Sequence, residues 1–530
     1  MLIDTLKLIE LTMSNPISRR VLQAGLSRTS NGSTRIECAL DAFTGNRRSG
    51  YGICDRLYVL AIQGILHGGC RLFNFEANML RHYARDPIVR RGIVSVLGGI
   101  ARYGVTKPQL LNAPFLVVWN LTNLCNLRCQ HCYQSAGAAA PNELELEEKI
   151  RVVRELADAG VVSVALSGGE PLIHPHFFSI VAEAKKNGMF VAVATNGIVI
   201  DECMAQRLKD VGVGYVEISL DSTRPELHDE FRGVSGSWKR TIEGIKNCVR
   251  VGLYTVIATT VTQLNVAEVA DLIRLAKSLG AKRFTHFNFI PTGRAREILD
   301  LDLSPMEREE LLKLLYQESK TIGIECLSTS PQYARVVLQN SKGEAVAPTH
   351  FYVGDGSGGD LQTLADFIGG CGCGRLYCAI QPNGDVTPCV FMPQSIVGNL
   401  RRSSFLEIWQ ESELLRRLRN REFLEAACGS CKYKLVCGGC RARAIGYIED
   451  FAAPDPGCIY NQKAWTELHS FNASERQIAF TDIYVIRSGT GVYRQQGMVL
   501  GSSCVGAASF RETNTFSNSF GLEEPIDQRA

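Results

Sequence analysis

A chain of 530 residues, 45% hydrophobic and 21% charged, is too long for one core and too apolar for disorder, so it is a globular protein of roughly two to four domains. A formal net charge of +3 says little about partners, and no nucleic-acid partner is expected. Nineteen cysteines with no export signal ahead of them argue against a disulfide framework and for metal thiolates in a reducing cytoplasm.

Residues 1–110 read as a helical, basic extension with 15 Lys/Arg against 7 Asp/Glu, a surplus of +8. Val89, Ile93, Val96, Leu97 and Ile100 share one helical face, and Arg90, Arg91 and Arg102 lie away from it. Such a face either rests on an anionic membrane surface, giving the chain a peripheral membrane contact, or packs on the rest of the protein as a cap. The cap is favoured, because most amphipathic helices face a core. Met1–Leu11 carries Asp4 and Glu10 and lacks a cleavage site; Leu57–Leu66 is too short to span a bilayer.

From Pro114 the texture changes to short apolar runs alternating with amphipathic stretches. The runs are Phe115–Trp119, Val161–Leu166, Phe190–Ala194, Tyr215–Leu220, Tyr254–Thr260 and Arg283–Phe289. Helices are predicted near 143–159, 175–187, 201–210, 238–251 and 265–279, with Gly160, Gly188, Gly212, Gly252 and Gly280 after them as left-handed caps. Strands apolar on both faces that alternate with helices form a parallel sheet. Six repeats over 111–330 are too few for an eightfold barrel, so the expected fold is α/β, a partial (β/α)6 TIM-type barrel. Residues 331–370 read as a Gly-rich connection, and 371–460 as a small cysteine-rich α+β domain. Residues 461–530 are a polar tail of unknown role.

Cys125-Asn-Leu-Arg-Cys129-Gln-His-Cys132 places three thiols in eight residues directly after the first predicted strand. Three thiolates hold three corners of an iron–sulfur cubane and leave one iron open, as an open catalytic metal site requires. The alternative is a zinc knuckle with His131 as fourth ligand, disfavoured because His131 adjoins Cys132 in sequence.

This spacing, closely followed by Tyr133, resembles the signature of the radical S-adenosylmethionine (SAM) family. Ser167-Gly168-Gly169-Glu170-Pro171 resembles the family's GGE motif, and Thr195-Asn196-Gly197 and Ser219-Leu220-Asp221 end later strands at familiar positions. The resemblance covers roughly 114–300. It implies a [4Fe–4S] cluster held by Cys125, Cys129 and Cys132, with SAM on the open iron. It places Gly168 and Gly169 against the methionine amine, with Glu170 orienting that amine or steadying the loop. Thr195, Asn196, Ser219 and Asp221 are implied SAM contacts, the last two at the ribose. Arg232 and Arg294 are either partners of the SAM carboxylate or structural ion pairs. The implied activity is reductive SAM cleavage to a 5′-deoxyadenosyl radical that takes a hydrogen from an unactivated C–H position, in an anaerobic setting. A flavodoxin- or ferredoxin-type donor supplies the electron.

Cys371, Cys378, Cys389, Cys428, Cys431, Cys437, Cys440 and Cys458 follow, with a hairpin turn at Asn383-Gly384-Asp385. Eight thiols close either two zinc ribbons or two cubanes. The run resembles the SPASM domain of radical SAM enzymes, with Cys437-x2-Cys440 one residue shorter than in many members. That resemblance implies two auxiliary [4Fe–4S] clusters, the first on Cys371, Cys378, Cys389 and Cys440, the second on Cys428, Cys431, Cys437 and Cys458. Cys373 is either a substitute for Cys371 or, by preference, a bystander, and Cys38, Cys54, Cys70, Cys203, Cys248, Cys326 and Cys504 are read as small buried apolar residues. The relatives that look similar modify heme or heme d1 precursors or mature ribosomal peptides; the long front end resembles larger archaeal-type proteins that cross-link lipid chains. Substrates therefore stay open among tetrapyrrole, peptide and lipid. An iron–sulfur electron-transfer protein without radical chemistry is the alternative of another class.

Overall fold

The strand and helix pattern of the sequence is realised as one long sheet flanked by helices. The computed structural model describes residues 13–30, 32–45, 52–72, 77–347, 353–354 and 361–470. Seven strands, β1 (Leu116–Asn120), β2 (Ser163–Ser167), β3 (Phe190–Thr195), β4 (Tyr215–Ser219), β5 (Thr255–Val261), β6 (Arg283–Asn288) and β7 (Glu325–Ser328), pair in parallel and in chain order. A separate pair, β8 (Ala345–Val346) and β9 (Val353–Gly354), is antiparallel. Then β10 (Tyr377–Ile380) returns to lie parallel against the outer side of β1, with Leu116 opposite Tyr377 and Trp119 opposite Ile380. β11 (Asp385–Thr387) and β12 (Gly398–Asn399) extend that edge as an antiparallel meander. The sheet ends at β12 and β7, which do not pair, so this α/β barrel is open.

Two features exceed the six-repeat expectation. β7 is only four residues long and is bracketed by polar Glu325 and Ser328, so it carries no apolar run to betray it. The cysteine-rich segment contributes β10 to the barrel sheet itself. Within the presumed 331–370 connection, Gln332–Asn340 is a helix with Tyr333, Ala334, Val336 and Val337 fully buried. Its burial against the helix Pro305–Ile322 corrects the reading of a Gly-rich linker there.

The core lies between the sheet and the outer helices. Val117, Val164, Val191, Val216, Ile257 and Phe284 from successive strands pack against Leu156, Ile180, Leu208, Ile245 and Leu272. Each such side chain contributes about 1.5–3 kcal/mol through burial. The alternating residues of each strand face the barrel interior. Helix ends follow local chemistry: Gly160, Gly188, Gly212, Gly252 and Gly280 all take positive φ, between 73° and 92°, after their helices. Ser304 caps Pro305–Ile322 in a capping box with Glu307.

The N-terminal helices Pro16–Gly25, Arg35–Phe43, Ile53–Leu72, Ala77–Tyr83 and Pro87–Tyr103 have their own core around Leu22, Ile36, Leu40, Ile62, Leu97 and Ile100. Pro87–Tyr103 also docks on the barrel. Arg91 donates to the carbonyls of Ala157, Val161 and Asn187, and Ser95 to that of Ala113. Those carbonyls lie just before β1, β2 and β3, so the extension meets the N-terminal ends of the strands. Arg90 pairs with Asp41 at 2.7 Å and Arg102 with Glu411 at 3.3 Å. The arginines offered to a membrane surface are thus engaged within the chain, and Ile93, Val96, Leu97 and Ile100 of the stripe pack into the core of the N-terminal helices themselves. Among the described residues no helix is long and apolar enough to cross a membrane.

Candidate active site

The loop Cys125–Cys132 leaves the C-terminal end of β1 and is stapled on all sides. Cys125 N–H donates to Gly137 O, Arg128 N–H to Arg232 O and Gln130 N–H to Phe231 O. Arg294 braces it from below, donating to the carbonyls of Cys129 at 2.8 Å and Ala136 at 2.9 Å. Donors also point at the sulfurs: Leu127 N–H at Cys125 Sγ (3.4 Å), Ala136 N–H at Cys132 Sγ (3.4 Å) and Arg232 Nη1 at Cys129 Sγ (3.9 Å). Burial pushes the Cys125 thiol up to about 12 and raises Cys129 as well, so ionised sulfur here needs a bound cation. Such N–H···S donors suit thiolate ligands of an iron–sulfur cluster.

His131 belongs to a different environment. Its Nε2 lies 3.5 Å from Asp221, its ring stacks on Phe231 at 4.1 Å, and burial drops it to about 3. Among the described residues no group of three or more His, Cys, Asp or Glu side chains is gathered as ligands of a single ion. His131 thus faces Asp221 and Phe231, which gives it no part in a zinc knuckle with the three thiols.

The segment after β2 packs directly on this loop. Gly169 N–H donates to Thr122 O at 2.7 Å and Glu170 N–H to Leu124 O at 2.8 Å. A Cβ on Gly169 would stand 2.0 Å from Leu124 O, and Gly168 adopts φ +126° against Thr122 O. The glycines are thus demanded by the neighbouring backbone of the cluster loop. Glu170 is fully buried and accepts from Leu172 N–H, Thr195 Oγ1 (2.7 Å) and Asn196 N–H (2.9 Å). Burial raises its carboxyl while these donors pull against it. Of the two roles open to Glu170, steadying the loop is the one its contacts serve. Asn196 continues the brace by donating to Asn126 Oδ1 at 2.7 Å.

Asp221 and Arg232 pair with each other. Asp221 is 1% exposed and bonds Arg232 Nε at 2.7 Å, and it also accepts Thr260 N–H. Although burial alone would raise it, the Arg232 guanidinium holds the Asp221 carboxyl below its ordinary value. A buried carboxylate must be paired, and this one spends itself on the arginine that flanks Cys129. Arg232 thus holds Asp221, Arg294 holds the carbonyls of Cys129 and Ala136, and Ser219 stays half-buried at the end of β4.

The auxiliary cysteines sort into two groups, with one exchange. Cys428, Cys431, Cys437 and Cys458 line one cavity beside Arg335 and Tyr460. Donors aim at their sulfurs: Tyr433, Gly439 and Asp455 N–H, and Arg441 Nη2 at 3.7 Å from Cys428. In the other group Cys371, Cys373, Cys389 and Cys440 share one buried cluster with Tyr377, whose Oη lies 2.7 Å from Cys389 Sγ. Cys378 is absent from that cluster. It faces the opposite side of β10 with Ile380, in the apolar layer that holds Val117. Cys373 thus stands with Cys371, Cys389 and Cys440 where the spacing had put Cys378, which the alternation along β10 turns to the opposite side. The parity of Tyr377-Cys378-Ala379-Ile380 carried that signal in the sequence.

Comparison with known proteins places this arrangement. A radical SAM superfamily profile matches residues 119–276, and an iron–sulfur cluster-binding domain profile, SPASM, matches 371–432. The AdoMet-dependent heme synthase of Methanosarcina barkeri is 36% identical over 356 residues, spanning 66% of this chain and 98% of that protein. The chain belongs to the radical SAM superfamily. The pre-heme d1 synthase of Dinoroseobacter shibae is 29% identical over 366 residues, 68% of this chain and 87% of that protein. The crystal structure of SuiB from Streptococcus suis bound to S-adenosylmethionine shares the fold, with TM-score 0.58 and 17% identity over 81% of this chain and 93% of that one. As a radical SAM enzyme with a SPASM domain, the protein takes a [4Fe–4S] cluster, SAM and auxiliary iron–sulfur clusters.

Proposed function

We propose that the protein modifies a side chain of an iron tetrapyrrole by radical SAM chemistry. The observation that carries this reading is the 36% identity to a heme synthase over nearly that protein's whole length. The likeness to SuiB concerns the fold, so it does not favour a peptide. A lipid substrate loses its rationale with Arg90, Arg91 and Arg102 engaged in the chain and the helical cap at the barrel end opposite the cysteine loop. The protein works in the cytoplasm, with a flavodoxin- or ferredoxin-type donor.

When bound, the cluster and SAM supply a 5′-deoxyadenosyl radical that removes hydrogen from an unactivated carbon. Cys125, Cys129 and Cys132 hold that cluster. Gly168, Gly169 and Glu170 keep the second strand's loop pressed on the cysteine loop, and Thr195 and Asn196 fix Glu170. Ser219 meets SAM at the end of β4, while the Asp221–Arg232 pair fixes the wall beside Cys129. Tyr133 closes the inner side. Cys371, Cys373, Cys389 and Cys440 hold one auxiliary cluster against β10, and Cys428, Cys431, Cys437 and Cys458 hold the other. When bound there, the auxiliary clusters would supply a route for electrons to or from the substrate.

Anaerobically reconstituted protein is expected to hold about twelve iron atoms, four for each of three cubanes. With dithionite it should cleave SAM and change the mass of an iron porphyrin that bears propionate side chains. Alanine at Cys125, Cys129 and Cys132 together should leave about eight iron atoms and no cleavage. SAM cleavage that leaves every such porphyrin unaltered would refute the tetrapyrrole reading.

A further inference from the structure

Three arginines, Arg375, Arg421 and Arg441, are buried among the auxiliary cysteines, with exposures of 1%, 5% and 1%. Among the described residues none of them pairs with a carboxylate. The acids beside them are engaged elsewhere: Glu422, next to Arg421 in sequence, with Lys434 at 2.8 Å, and Asp455 with Arg443 at 3.2 Å. Arg421 occupies the seam between the two thiol groups. Its Nη2 donates to Cys371 O at 2.8 Å, and its guanidinium lies against Gly438, where an added Cβ would collide with Nη1. Gly438 stands between Cys437 of one group and Cys440 of the other, and Cys371 N–H donates to Cys437 O at 3.0 Å. The ionisable acids that face Arg421 are thiols from both sides, Cys371 and Cys373 of one group and Cys437 of the other.

The other two arginines flank this seam. Arg375 Nη1 donates to Gln109 O at 3.3 Å, while its Nε and Nη2, like Arg421 Nε, are buried without a hydrogen-bond partner among the described residues. Arg441 Nη1 donates to the carbonyls of Phe451 and Ala453, both at 2.7 Å, and Nη2 lies 3.7 Å from Cys428 Sγ. Every guanidinium nitrogen is a donor and the group stays charged, so no reorientation removes the unpaired N–H groups or the charge. Arg421 stands close enough to Arg375 and to Arg441 to be repelled by both. Like charges gathered in the interior require an anion, and neutral thiols supply none. Cubanes held by four thiolates carry net negative charge. The loop of the first cluster has no such surplus, because Arg232 beside Cys129 is neutralised by Asp221 at 2.7 Å.

We infer that Arg421, flanked by Arg375 and Arg441, is the shared counter-charge of both auxiliary clusters and raises their reduction potentials. The inference rests on the assignment of the two thiol groups to two clusters and is independent of the substrate. Net charge and hydrogen bonding around the sulfurs set the potential of an iron–sulfur centre. Reduction adds one negative charge, so a fixed cation nearby favours the reduced form. Arg421 touches the backbone of both groups, which makes it a positioning residue for electron transfer to and from each.

The test uses the full-length protein, reconstituted anaerobically, with cluster potentials read by redox titration under electron paramagnetic resonance. The first cluster is identified by the change in its signal on adding SAM. Arg421→Gln should keep about twelve iron atoms and make reduction of both auxiliary clusters about tenfold less favourable, a fall of about 59 mV for a one-electron couple. Arg421→Lys, which keeps the charge, should restore most of that loss, and the first cluster should titrate as in the wild type. Unchanged auxiliary potentials in an iron-replete Arg421→Gln protein would overturn the inference, and a shift in one auxiliary cluster alone would overturn the shared role. Should Arg421→Gln lose auxiliary iron, recovery of that iron in Arg421→Lys would support the charge requirement. Loss of iron in both variants would overturn it in favour of a purely structural arginine. Wild-type iron of only about four atoms would defeat the two-cluster assignment itself.

Discussion

Cys373 and Cys378 differ by the side of the sheet they face, and chemistry follows from that. Cys378 lies in an apolar layer beneath β10, where burial raises its thiol, and Cys373 lies among Cys371, Cys389 and Cys440. Cys373→Ala should lower the iron content from about twelve to about eight, whereas Cys378→Ala should keep about twelve. Iron and acid-labile sulfide measured on both variants decide it; loss of iron from the Cys378 variant would restore the ligand set expected from spacing. The eleven motif cysteines stand out as a group because thiol spacing is local. Their partition could not be read from spacing, which counts residues and takes no account of strand parity. Asp221 shows the same limit: its place at a strand end was legible, but the Arg232 that claims it lies a helix away.

At the scale of elements, six strands were legible because short β-favouring runs alternate with amphipathic helices, although β4 and β6 carry Glu217 and His286 within them. β7 was not, since its inward and outward positions alternate and its partner is set by β6. The β6–β7 pair carries a buried polar contact, His286 Nδ1 to Ser328 Oγ at 2.9 Å. Burial, with Arg308 nearby, drops His286 to about 3, and His228 sits at about 4 for want of solvent. In the unfolded chain both imidazoles take up a proton near pH 6.5, while the folded chain keeps them neutral. Their contribution to stability is therefore whole above pH 6.5 and declines as the pH falls toward 4, by about 1.4 kcal/mol per pH unit for each imidazole. The midpoint of thermal unfolding should fall between pH 7 and pH 5. His286→Gln should flatten that slope; an unchanged slope would show that His286 is protonated in the folded protein.

Across the whole molecule, the cysteine-rich segment is fastened to the barrel twice, by β10 in the sheet and by a buried ion network. Asp302, after β6, bonds Arg308 at 2.6 Å and Arg443 at 2.7 Å and accepts from Tyr447 Oη. Arg443 also reaches Asp455 at 3.2 Å, and Asp455 Oδ2 accepts from Cys440 N–H (2.8 Å) and from Gln332 Nε2 (2.7 Å). The network therefore ends on the backbone of an auxiliary-cluster cysteine. Such long-range pairing cannot be read from sequence, because each charge looks like any solvated one until the fold buries it. Burial alone would raise the Asp302 carboxyl, but Arg308 and Arg443 hold it below its ordinary value. Its stabilising effect is present above the unfolded carboxylate range near pH 4 and is lost only as acid protonates the folded group. Asp302→Asn leaves the buried Arg308 without its charge partner and Arg443 with Asp455 alone, which costs about 3–5 kcal/mol. Because the loosened end is the Cys440 turn, the damage should appear first in an auxiliary cluster. Iron should fall toward about eight atoms per chain while reductive SAM cleavage at the first cluster persists. Unchanged iron content and thermal midpoint in this variant would show that β10 alone holds the two parts together.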